Sequence, residues 1–239
     1  MKTKLLLSTL FGMAAWSLSS VAAANWDTGA CPQPHAGPAP CIETEINGNT
    51  YHFNGSGGHA GVWHGRPAAE GGGAFDFTGN NVDLDCPDGN PSCTLTLSGE
   101  VKKCEDSDGE WRLGVRVTDA DVAPGDFLCN FIGVSGFPWY AKDVSATPQC
   151  PFEDDCDTFI AYDPSASTYT ADFGTITVST PFGTAVNGEY VPSVVFTPGV
   201  GANFAFTGPK QFIECGGDDG ECTINGVLTL DNGTSLDIY

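Results

Sequence analysis

Val115–Lys142, VRVTDADVAPGDFLCNFIGVSGFPWYAK, decides the fold class. Apolar and polar residues alternate into it from Trp111, with Trp111, Leu113, Val115 and Val117 on one face. A period of two is the signature of a half-buried strand. Pro124-Gly125-Asp126 turns the chain into a second strand candidate, Phe127 to Val134, which carries Cys129. An aromatic knot follows at Phe137-Pro138-Trp139-Tyr140. The stretch is densely apolar, and it contains no catalytic pattern.

The same period extends outward. IETEI, Asn47-Gly48-Asn49 and TYHFN form the clearest hairpin signal, with apolar residues alternating on both sides of an Asn-Gly turn. AFDFT (74–78), 82–84, TLTLSGEV (94–101), 158–162, 169–180, 190–197, 203–207, 223–230 and 235–238 are further strand candidates. Pro and Gly punctuate them at sandwich-like spacing. No amphipathic helix is legible beyond the first 24 residues. The expectation is an all-β, antiparallel, two-sheet sandwich of Greek-key or jelly-roll type, with a closed β-barrel as the alternative.

Residues 1–24 read as an export leader of the bacterial Sec type. Lys2 and Lys4 precede an apolar run, and Ala22-Ala23-Ala24 suits cleavage. Residues 25–41 read as a Pro-rich extended arm, and 42–239 as a single β-domain with a Gly-rich surface loop at 55–73. Removing Lys2 and Lys4 from the 9 basic residues leaves seven against 30 acidic ones, a net charge near −23. That charge speaks against nucleic acid and anionic lipid as partners. No later segment is apolar for long enough to be a transmembrane helix.

Ten cysteines lie beyond the leader: Cys31, Cys41, Cys86, Cys93, Cys104, Cys129, Cys150, Cys156, Cys215 and Cys222. The even count in an exported chain predicts five disulfides, and there is no C-x-x-C for zinc. Sequence proximity predicts 31–41, 86–93, 150–156 and 215–222, leaving 104 with 129. Cys86-x6-Cys93 and Cys215-x6-Cys222 also echo each other, each being followed by a Thr-aliphatic strand start.

The chemistry-bearing signals are sparse. His35, His52, His59 and His64 follow no metal-ligand spacing and read as loop histidines. Asp106, Asp108 and Glu110 open like a calcium loop but lack the later bidentate Glu and the flanking helices. Calcium is thus the only cofactor the carboxylates suggest, and solvated turns are the stronger reading. No Gly-x-Ser-x-Gly elbow exists, and nothing selects a carboxylate pair, so the chain reads as a non-enzyme. Trp63, in the Gly-rich loop, is the best candidate for an exposed aromatic. Phe137, Trp139 and Tyr140 are either core or a second surface anchor.

VTDADVAPGDFLCNFIGVSGFPW (117–139) resembles the signature of a family of small secreted bacterial proteins, the protein activators of alkane oxidation. The similarity extends through 176–183 (ITVSTPFG) and 222–230 (CTINGVLTL), and so covers roughly Cys93 to Tyr239. The N-terminal hairpin, the Gly-rich loop and the acidic Cys loops depart from that pattern. The resemblance implies a secreted or surface-associated factor that helps growth on hydrocarbons, and it carries over no catalytic residues. The expected partner is a hydrophobic substrate or an oil–water interface. The alternative is a self-assembling fibre or matrix subunit joined by strand addition at either terminus. A carbohydrate-binding β-domain is the lower alternative.

Overall fold

The computed structural model describes residues 26–32, 38–54, 59–123, 125–231 and 234–239. The leader, His35 and Pro124 lie outside the described residues. Among the described residues fifteen strands follow one another: β1 (Asp27–Thr28), β2 (Ile42–Ile46), β3 (Asn49–Phe53), β4 (Phe75–Asp85), β5 (Ser92–Glu105), β6 (Trp111–Ala123), β7 (Gly133–Ser135), β8 (Trp139–Asp143), β9 (Ile160–Ala161), β10 (Tyr169–Thr180), β11 (Gly183–Thr197), β12 (Gly199–Val200), β13 (Asn203–Ile213), β14 (Asp219–Leu230) and β15 (Ser235–Ile238).

The all-β expectation holds, and the main sheet takes the barrel form. Its order is β11-β13-β14-β4-β5-β6-β8-β10, antiparallel at each step, and β10 pairs back with β11 to close the ring. Bulges bend the long strands enough to curl the sheet onto itself. One lies between Gly79 and Val82 in β4, another opposite Ser98–Gly99 in β6, and several along the β10–β11 pair. The Gly79 bulge needs a glycine, because a Cβ there would stand 2.6 Å from the Val227 carbonyl oxygen. A second sheet, β1-β3-β2-β15-β12, is separate. The two-sheet description survives in that sense, although the larger sheet has no open edge at its seam. The Asn47-Gly48 turn is as expected, both residues taking positive φ between β2 and β3.

Side chains alternate in and out of the barrel. Leu95, Leu97 and Val101 of β5 face inward, and Thr94, Thr96, Ser98 and Glu100 lie on the other face. An apolar inside and a polar outside is the reverse of the lipid-facing pattern of a membrane barrel. Among the described residues no helix is long and apolar enough to cross a membrane. The β6 bulge reverses that strand's parity, so Val117 and then Val122 both face inward.

The two barrel ends differ. The small sheet covers one, with Leu236 and Ile238 of β15 facing Phe75, Leu113, Tyr169 and Phe196. Asp27–Thr28 pairs with β3, so part of the N-terminal arm is a strand of this sheet. The C-terminal β15 lies between β2 and β12, and β1 forms the opposite edge of the same sheet. The Gly-rich loop docks as well. His64 pairs with Val101 along the edge of β5 that β4 leaves free, and its side chain is fully buried.

The far end carries the β4–β5, β10–β11 and β13–β14 turns and two of the disulfides, Cys86–Cys222 and Cys93–Cys129. Cys31–Cys41 is as expected, but the other four pairings are Cys86–Cys222, Cys93–Cys129, Cys104–Cys156 and Cys150–Cys215. The local pairings fail because the strand neighbours are distant in sequence. The β4–β14 register puts Asp85 opposite Thr223 and brings Cys86 to Cys222. The echoed Cys-x6-Cys loops are the turns of two hairpins, β4–β5 and β13–β14, that lie side by side in one barrel. Each loop therefore bonds outward instead of closing on itself. The segment read as a strand at 127–134 is a 3-10 turn, Phe127–Phe131, followed by β7; the turn folds Cys129 inward onto Cys93.

Candidate functional site: the barrel interior

A cavity of about 70 Å³ lies inside the barrel toward the turn-bearing end. All of its lining side chains are apolar, including Val82, Leu84, Leu95, Trp139, Phe173 and Phe206. They come from strands all round the ring, because the inward positions there are aliphatic, aromatic or, at Cys93, taken by a disulfide. With no polar partner in the wall, water gains no hydrogen bonds inside, and apolar cavities of this kind stay dry. No lining group titrates, so this space can hold an apolar chain but carries no acid, base or nucleophile of its own.

Two smaller apolar spaces continue the cavity in line. Leu84 and Ile132 separate it from a surface crevice formed with Leu128, Pro181 and Phe182. Leu97, Val117 and Phe204 separate it from a second internal cavity of about 30 Å³ beneath the small sheet. The crevice opens beside an apolar rim. Phe127 is 76 % exposed, Phe182 67 % and Phe131 49 %. The Phe127 and Phe131 rings touch edge to face at 5.1 Å.

The aromatics singled out from sequence divide between the two faces of the wall. Trp139 is only 5 % exposed and lines the cavity, so it is no surface anchor. Phe137 stacks on it at 4.5 Å, and the Trp139 indole N–H donates to the Ser135 carbonyl at 3.1 Å. Trp63 lies outside the wall, half-buried, with the Lys102 ammonium 4.7 Å and the Arg116 guanidinium 4.6 Å from its ring. Its N–H donates to the Asp154 carboxylate at 3.0 Å, and Tyr140 packs beside it at 6.0 Å. Asp154 also pairs with Lys102. Trp63 and Tyr140 are thus members of a cation–π ladder that pins the Gly-rich loop to β5, β6 and β8.

The exposed phenylalanines Phe127 and Phe131 escaped the sequence reading because Phe127 to Val134 is a dense apolar run after a turn and reads as a strand. One signal was available: Phe127 and Phe182 each sit beside a turn residue, Asp126 and Pro181. Side chains at turn tips point to solvent more often than those of strand centres.

The acidic loop closes on itself. Asp106 accepts hydrogen bonds from the backbone N–H groups of Asp108 and Glu110, at 3.0 and 2.8 Å, and from Arg112 Nε at 2.7 Å. These bonds, led by Arg112, hold its carboxyl below the usual range. Asp108 and Glu110 meet it through their backbones. Among the described residues no group of three or more His, Cys, Asp or Glu side chains is gathered for a metal ion.

Two buried titratable residues, Lys103 and His64, lie at the covered end. The Lys103 ammonium donates to the carbonyls of Pro40 and Phe53, at 2.8 and 3.2 Å. Burial pushes its pKa down to about 7. His64 stacks on Phe53 at 3.8 Å and meets His59 at 3.1 Å, and burial lowers it to about 4. Their surroundings are packed and they serve that end of the core.

No family model, curated protein or solved structure matches this chain.

Proposed function

We propose that the chain is a secreted, non-enzymatic factor that binds hydrophobic chains at the cell surface or an oil–water interface. One observation carries the reading: a wholly apolar cavity inside the barrel, continued by an apolar crevice to a rim of exposed phenylalanines. Such a site selects against polar ligands, because each buried polar group would lose its water without gaining a partner. It favours alkyl chains, at about 0.8 kcal/mol for each methylene removed from water. The resemblance of residues 117–139 to the activators of alkane oxidation supports the same ligand class. Five disulfides suit an oxidising compartment. The excess of carboxylates keeps an apolar-rimmed particle dispersed.

Trp139 provides the test. Its ring lines the cavity, so an n-alkane entering there changes its emission. Titration of the oxidised protein with hexane is expected to give a saturable change that Trp139→Phe removes, while calorimetry still detects binding by that variant. Absence of a saturable signal by both methods overturns the reading.

A further inference from the structure

The two internal cavities are separate spaces with three residues in common. Leu97 of β5, Val117 of β6 and Phe204 of β13 line both. Phe204 is the largest of the three, and its ring meets Phe77 at 4.7 Å, Phe196 at 5.0 Å and Phe173 at 5.6 Å. Those neighbours come from β4, β11 and β10, so the ring is held from around the barrel. The 70 Å³ space lies between this layer and Leu84 and Ile132, which it shares with the crevice at the phenylalanine rim. Beyond this layer, the 30 Å³ space is apolar along Phe75, Phe77 and Leu236.

We propose that Phe204, with Leu97 and Val117, is the specificity-determining floor of the barrel, setting how many carbons of a linear alkyl chain are taken in. The inference rests on the binding reading above and adds its length selectivity. The floor works by exclusion. A buried aromatic ring packed on three others does not swing aside without leaving an unfilled gap, which close-packed interiors resist. The first cavity is about half the size of an engineered apolar cavity of ~150 Å³ that admits benzene. The wild-type interior therefore takes only a short chain terminus, and the remainder of a long chain lies against the rim. Removing the floor joins the two cavities and deepens the site along the barrel axis.

The experiment measures calorimetric affinity for a homologous series of 1-alkanols and n-alkanes. For the wild-type protein, affinity rises about fourfold for each added methylene and then levels off. In Phe204→Ala the levelling point moves to longer chains. Leu97→Ala and Phe204→Leu, which remove less of the core, shift it in the same direction by less, and they serve if Phe204→Ala does not fold. Levelling at one unchanged length in every folded variant overturns the floor but leaves binding standing. A continuous rise with no levelling in the wild type also overturns it. If the wild-type protein binds no member of the series, the binding reading fails and the floor falls with it.

Discussion

Cys86 is bonded to Cys222 across 136 residues, at the point where β4 and β14 run side by side. The bond joins the turns of two neighbouring hairpins and locks the rim end of the barrel wall. Cys93–Cys129 lies beside it and ties the turn that carries Phe127 and Phe131 to the start of β5. Two covalent links therefore frame the mouth of the apolar cavity.

Chain-entropy reasoning makes the Cys86–Cys222 bond the most stabilising of the five. Closing a loop of that length is worth about 5 kcal/mol, against about 3 kcal/mol for the short Cys31–Cys41 loop. Replacing both Cys86 and Cys222 by Ser is expected to lower Tm more than replacing Cys31 and Cys41. Paired thermal melts check the order. Non-reducing peptide mapping is expected to find 86–222, 93–129, 104–156 and 150–215; an 86–93 or 215–222 linkage would contradict the register.

Lys103 makes stability depend on pH above neutrality. Its folded pKa is lowered to about 7 by burial, whereas the unfolded side chain titrates near 10.5. Between those values the unfolded chain holds a proton that the folded chain has released, so stability rises with pH. The slope from this group is at most about 1.4 kcal/mol per pH unit. The carbonyls of Pro40 and Phe53 favour the charged amine and reduce it. Urea unfolding between pH 7 and 9.5 is expected to show increasing stability, and Lys103→Met is expected to flatten the trend.

The rim phenylalanines lie outside the core. Exposed side chains contribute little to folding, so replacing Phe127, Phe131 and Phe182 together by Ser is expected to change stability by about 0.5 kcal/mol or less per site. Adsorption at a hexadecane–water interface should fall sharply in the same variant. Pendant-drop tensiometry and thermal melts on one sample separate the two effects.

Asp106 closes its turn with Arg112 and two backbone amides. Asp106→Ala is expected to lower Tm whether or not calcium is present, and millimolar calcium is expected to leave the wild-type Tm unchanged. A calcium-dependent rise in Tm that Asp106→Ala abolishes would assign the loop to metal binding instead.

The class of fold was legible because period-two patterning is a local property. The alternation from Trp111 and the Asn47-Gly48 turn each point to antiparallel strands without reference to the rest of the chain. The cavity was much less legible. Leu97, Val117 and Phe204 look like ordinary strand residues, and only the closure of β10 onto β11 places them in one layer. The bulge in β6 is also silent in the sequence, although it alone puts Val122 on the same face as Val117.

By itself, the amino-acid sequence determined an acidic, all-β chain with ten cysteines and an Asn-Gly hairpin, and it supplied no catalytic motif. Each of these follows from composition or from neighbours a few residues apart. Only the tertiary structure decided that the main sheet closes into a barrel, four of the five disulfide pairings, the burial of Trp139 and the exposure of Phe127, Phe131 and Phe182. Those outcomes depend on which strands pair across long separations, and every strand of alternating pattern offers an equally good edge to many partners until register, bulges and core packing are satisfied together.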